Sequence, residues 1–146
     1  MGMSTMANAA DAALVVIDLQ EKLLPHIAGA EQVVANSRRL ILGAKELQIP
    51  IIYSEQYPKG LGGTVQPVLD ALKEAQAGGA QVVRVEKTTF SCTGCDAFMD
   101  AIDGIDREQF LVCGVETHVC VCQTALGLLF NYADHYATAP KACSLR

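Results

Sequence analysis

The stretch Ala13-Leu-Val-Val-Ile-Asp18 decides the fold of this chain. It is apolar and rich in β-branched residues, and nothing polar alternates through it. A strand with one wet face alternates, whereas a strand covered on both faces runs apolar, as in a parallel sheet. The run ends on a carboxylate.

The segments after it repeat the theme. Val33, Val34, Leu40, Ile41, Ala44 and Leu47 recur at three- and four-residue spacings until Pro50 stops the pattern, which predicts a helix. Ile51-Ile52-Tyr53 restarts as a strand, and Gly60, Gly62 and Gly63 open a loop. Val65, Val68, Leu69 and Leu72 sketch a second helix ending near Gly78-Gly79, and Gln81 to Val85 is a third strand. A helix from about Gly94 to Ile102, a fourth strand from Gln109 to Cys113 and a long apolar segment from Val119 to Tyr132 complete the series. The last segment is expected to be a buried helix. Strand and helix alternate without hairpin turns, so the expected fold is α/β: three layers, α/β/α, around a Rossmann-like open parallel sheet with right-handed crossovers. A fifth strand between Tyr132 and Ala142 is poorly supported, because His135, Thr138 and Pro140 stand where Val or Ile is wanted.

Composition bounds the function. The 146 residues make one domain, expected over residues 12–146 behind a loose tail of 1–11. With 51% hydrophobic and 18% charged residues the chain can build a core. A net charge of −5 and no Lys or Arg cluster argue against nucleic acid, whose phosphates need a basic footprint. The apolar run from Ala12 to Ile17 is far short of the roughly 20 residues a membrane span requires. The opening MGMSTMANAA has neither the basic start nor the apolar middle of a secretory signal, so a cytoplasmic location with free thiols at all 6 cysteines is expected.

In an open parallel sheet, ligands bind beyond the carboxyl ends of the strands. Here those ends deliver Asp18, Ser54-Glu55, Lys87 and the stretch Gly114 to Cys120. A thiol becomes a nucleophile beside a positive charge, a helix N-terminus or a base. Cys120 stands at the start of the predicted last helix, with Lys87 to hold charge and Asp18 to carry the proton. Taken singly, Cys120 reads as a small core hydrophobe, Asp18 as a cap and Lys87 as a surface cation. Their convergence on one sheet edge favours catalysis.

Three motifs then become recognisable. Leu14-Val-Val-Ile-Asp18-Leu-Gln20, Val85-Glu-Lys87-Thr-Thr-Phe90-Ser91 and Cys113-Gly-Val-Glu116-Thr-His-Val-Cys120-Val resemble the isochorismatase-like cysteine hydrolases, over about residues 12–130. Ser54-Glu-Gln-Tyr-Pro-Lys-Gly60-Leu-Gly resembles a loop of the subgroup holding isochorismatase domain-containing and mitochondria-associated ribonuclease-like proteins. The resemblance implies Asp18 as proton acceptor, Lys87 as charge holder and Cys120 as nucleophile. It also implies a cis peptide between Val115 and Glu116, with the Glu116 and Cys120 N–H groups as an oxyanion hole. Gln20, Glu55, Tyr57, Phe90 and His118 are expected around the substrate, His118 being equally readable as a plain loop histidine. The implied reaction is acyl transfer on a small amide-like molecule through a thioester, with no cofactor.

Departures from the family refine the expectation. The nicotinamidase branch carries Asp-x-His for zinc where this chain has SEQYPKGLGG, so no catalytic metal is expected. The family continues with another strand and helix where this chain stops at Arg146, and Lys141 stands where an acid is usual. An uncovered apolar edge and the family's habit both imply a homo-oligomer. Cys92-x-x-Cys95 with Cys120-x-Cys122 is a weak metal or redox motif, Cys95 being expected inside a helix. A catalytically silent binding or scaffold protein of the same fold is the alternative function.

Overall fold

A computed structural model describes residues 6–132. Strand β1 (Ala12–Ile17) leads to helix α1 (Ala30–Glu46), then β2 (Ile51–Gln56), a single turn α2 (Pro58–Leu61) and α3 (Gln66–Ala77). After β3 (Val82–Lys87) come α4 (Asp96–Ile105), β4 (Gln109–Gly114), one turn of π-helix (Thr117–Val121) and α5 (Cys122–Asn131). The four strands are all parallel in the order β3-β2-β1-β4. Every residue of β1 is buried, the consequence of its central position with helices on both faces.

The two faces follow the alternation of β1. Leu14 and Val16 point with Ile51 toward Ile41 and Ala44 of α1 and toward Val68, Ala71 and Leu72 of α3. Val15 and Ile17 point with Ile52 and Val85 toward Phe98 and Ile102 of α4 and Val121 and Leu128 on the other side. These are the three expected layers. Gly114 ends β4 with φ 128°, and any Cβ there would collide with the Ile17 backbone, so only glycine lets β4 lie this close to β1.

Three expectations change. β2 runs on to Gln56 and β3 to Lys87, because the pairs Glu55 with Glu86 and Gln56 with Lys87 continue the ladder beyond the apolar residues. Cys95 caps α4 instead of lying inside it, with extended backbone at φ −115°. The last apolar segment is not a buried helix: α5 buries Thr124 and Leu128 but leaves Leu126 60%, Leu129 39% and Phe130 85% exposed. Apolar residues on all sides of a helix signal burial only where elements stand on all sides. The doubtful fifth strand, His135, Lys141 and Cys143 lie outside the described residues. Among the described residues no helix is long and apolar enough to cross a membrane.

Candidate active site

Register brings the chemistry together. Ile17 pairs with Ser54 of β2 and with Gly114 of β4, and Gln56 pairs with Lys87, so the ends of all four strands meet at one level. Just past β1, Asp18 takes φ 52°, which breaks the strand's alternation. Its carboxylate is fully buried, one oxygen accepting from Ser54 Oγ at 2.8 Å and the other from Lys87 Nζ at 2.9 Å. The Lys87 side chain is also inaccessible to solvent, and its ammonium donates further to Gln56 Oε1 at 2.7 Å and to the Thr89 and Phe90 carbonyls, both at 3.1 Å. A buried ammonium is tolerable only with this density of acceptors.

Cys120 sits in the π turn between β4 and α5, 8% exposed. The Val115–Glu116 peptide before it is cis, and the Glu116 carbonyl accepts the Val121 N–H at 3.2 Å, the five-residue closure of a π turn. Asp18 and Lys87 both act on the thiol. Burial is the largest influence, Asp18 adds to it and Lys87 only partly opposes, so the thiol is pushed up to about 12. Lys87 is ion-paired with Asp18, and the Cys120 thiol lies beside that carboxylate.

A cavity of about 180 Å³ opens on these groups. Asp18, Gln56, Glu116 and Cys120 supply its polar wall, and Leu23, Leu61, Phe90, Val115 and Val119 the apolar remainder. A larger groove of about 770 Å³ lies along Leu24, Ile27, Val34 and Val65, away from Asp18 and Cys120.

The other residues singled out in the sequence disperse. Phe90 stands on the cavity wall, 58% exposed. Gln20 is buried, its Nε2 donating to the Gln56 carbonyl at 2.9 Å and the Gly62 carbonyl at 2.8 Å while Oε1 accepts the Gln56 N–H at 2.7 Å. All its capacity goes into holding backbone. Glu55 points to the opposite face of the sheet, where Thr64 donates through its N–H at 2.9 Å and its hydroxyl at 2.8 Å and Arg84 donates through its guanidinium. Burial pushes the Glu55 carboxyl up, but Arg84 and Thr64 outweigh it and the net displacement is downward. Tyr57 is half exposed on a neighbouring cavity with Lys59 and Cys95. The His118 side chain is 77% exposed and 3.8 Å from the Glu116 carboxylate. Among the described residues no group of three or more His, Cys, Asp or Glu could hold a metal ion.

Ser54 and Gln56, which complete the polar cluster, were not separable from loop residues by apolar pattern. Their signal is parity: Ile52, Ser54 and Gln56 alternate on one face of β2 once that strand is extended.

Comparison with known proteins points the same way. Residues 12–142 match the family model described as isochorismatase domain. The mouse isochorismatase domain-containing protein 2A is 39% identical over 135 residues, 91% of this chain and 59% of the mouse protein. The MAR1 ribonuclease structure from Caenorhabditis elegans is 38% identical with TM-score 0.72, covering 86% of this chain and 61% of that one. YcaC of Escherichia coli, described as an octameric hydrolase of unknown specificity, shares the fold at 21% identity and TM-score 0.75, covering 90% of this chain and 63% of that one. The chain thus spans about three fifths of the length of these relatives.

Proposed function

Given that the chain belongs to the isochorismatase family, we propose that it is a cysteine hydrolase of small amide-like molecules, with Cys120 as nucleophile, Asp18 as general base and acid, and Lys87 as the group that holds Asp18. The observation that carries this reading is the Asp18–Lys87 pair, 2.9 Å apart with both side chains fully buried, beside a thiol on a cavity wall. A buried ion pair is weak evidence of stability, so its presence at a cavity calls for a functional reason.

The chemistry follows from the resting thiol. Asp18 takes the Cys120 proton as sulfur attacks the carbonyl carbon, and the oxyanion forms toward the Glu116 and Cys120 backbone N–H groups. The Asp18 proton then passes to the leaving nitrogen as the C–N bond breaks, leaving a thioester. Water attacks the thioester, giving its proton to Asp18; collapse releases the carboxylic acid and returns the proton to sulfur. Lys87 keeps its positive charge throughout and steadies Asp18 in both states. No cofactor enters these steps.

The catalytically silent alternative is not favoured, since a scaffold has no use for a fully desolvated Asp–Lys pair at a pocket. A homo-oligomer remains part of the proposal, supported by the apolar outer face of α5 with Leu126, Leu129 and Phe130. A cytoplasmic location likewise remains proposed.

The test is single-turnover mass spectrometry with a small p-nitrophenyl ester as activated acyl donor. An acyl adduct on the Cys120 peptide that forms and decays, absent in Cys120→Ala together with turnover, is the expected result. Undiminished hydrolysis by Cys120→Ala removes the nucleophile assignment.

A further inference from the structure

Ser54 is bonded to Asp18 twice. Its hydroxyl donates to Asp18 Oδ1 at 2.8 Å, and its carbonyl accepts the Asp18 N–H at 3.1 Å. Register puts it there, because Ser54 is the partner of Ile17 in the β1–β2 ladder and Asp18 is the next residue. Both residues are buried, Asp18 fully and Ser54 with 2% of its surface exposed. A serine hydroxyl has a single proton to donate, and here it goes to the carboxylate.

One contact would not fix that carboxylate. Asp18 has left the strand conformation at φ 52°, and the terminal torsion of an aspartate is broad and roughly two-fold, so its plane can turn about a single anchor. Lys87 anchors Oδ2 at 2.9 Å, but an ammonium is a compact point charge with rotatable donors, and this one also serves Gln56, Thr89 and Phe90. Ser54 anchors the other oxygen from β2. Two donors on two oxygens set the plane, and each oxygen keeps a lone pair free to accept a further proton. The Cys120 thiol is acted on by this same carboxylate.

We propose that Ser54 is a positioning residue for the hydrolysis, its hydroxyl holding the Asp18 carboxylate in the plane from which it takes the Cys120 proton and, later, the proton of the attacking water. The inference rests on Asp18 and Cys120 acting as base and nucleophile. Ser54 itself neither gains nor loses a proton, and it acts only through Asp18. A positioned acid or base contributes roughly 10²–10⁴-fold to rate, and a carboxylate free to turn forfeits part of that factor.

Ser54→Ala, Ser54→Val and Ser54→Thr are compared with the unaltered protein by following the formation and decay of the acyl adduct on the Cys120 peptide from a small p-nitrophenyl ester. Urea unfolding checks that each variant is folded. Thr keeps the hydroxyl and Val puts a methyl in its place within the same shape, so their difference separates the hydrogen bond from packing, and this pair carries the test should Ser54→Ala not fold. Adduct decay is expected to slow about tenfold in Ser54→Ala and Ser54→Val and to stay within about threefold of the unaltered rate in Ser54→Thr. The ester concentration that half-saturates acylation is expected to stay the same in all of them, since Ser54 is buried behind Asp18. Decay at the unaltered rate in Ser54→Val, or a Ser54→Thr protein as slow as Ser54→Val, overturns the role of Ser54 while the adduct keeps the nucleophile assignment in place. If the unaltered protein forms no adduct on Cys120, the hydrolase reading falls and this inference with it.

Discussion

Gln20 and Gln56 are joined as if by a strand pair: the Gln20 side-chain oxygen accepts the Gln56 N–H at 2.7 Å and its nitrogen donates to the Gln56 carbonyl at 2.9 Å. A third bond to the Gly62 carbonyl at 2.8 Å ties in the loop after α2. One buried amide thus fastens the end of β2, from which Gln56 reaches Lys87, to the segment after Asp18.

Gln20→Leu keeps the volume but leaves the Gln56 N–H and two carbonyls without these partners. The expected cost is about 3 kcal/mol, since each stranded buried group costs roughly 1–3 kcal/mol and some are rescued by water. Urea unfolding measures it, and an unchanged midpoint rules out the clamp.

Asp18 and Lys87 should behave as one unit. Lys87→Met leaves a buried carboxylate alone and should destabilise by about 3–5 kcal/mol, whereas adding Asp18→Asn should restore part of the loss. A double-mutant cycle in which the two effects simply add would show that the pair is not coupled. Both single variants and the double variant are expected to lack turnover.

Alkylation of Cys120 reports its protonation. Burial and Asp18 push the thiol up to about 12, so its rate should keep rising with pH well past the ordinary thiol value of 9.0. Asp18→Asn removes a raising influence and leaves Lys87 unopposed, which should move the rise to lower pH. A plateau below pH 8 in the unaltered protein would contradict the resting thiol.

Glu55 makes part of the stability depend on acid. Burial raises this carboxyl, Arg84 and Thr64 lower it further, and the net value lies below the ordinary 4.5. A carboxyl lowered on folding contributes stability above its unfolded value, and the contribution disappears as pH falls through the folded value. Glu55→Gln should therefore be less stable than the unaltered protein at neutral pH, with the gap closing below about pH 4. A gap that is constant across the acid range would assign the effect to packing.

How much could be read without coordinates differs by element. β1 was legible because a continuous β-branched run has few other uses, and Asp18, Lys87 and Cys120 followed from their places after strands and in the motifs. The ends of β2 and β3 were not, since Ser54, Glu55, Gln56 and Lys87 are polar and only the pairing of neighbouring strands keeps them extended. The outer face of α5 misled for the converse reason: Leu126, Leu129 and Phe130 state a preference for burial, and burial needs a neighbour.

Gln20 and Glu55 show the division most plainly. As residue types near a motif they are candidates to hold substrate, and their chemistry would serve equally well for that. What assigns them to backbone and to Arg84 is the face each occupies, which depends on strand register and on contacts 29 to 42 residues away in the chain. Sequence by itself determined the alternation of strand and helix, the central buried strand and the residue types gathered at the sheet's carboxyl edge, because periodicity and hydrophobicity are local properties. Tertiary structure decided that Lys87 is spent on Asp18, that burial and Asp18 together raise the Cys120 thiol and that Glu116 lines the cavity beside it, because charge states and exposure depend on distances between segments that the chain order does not contain.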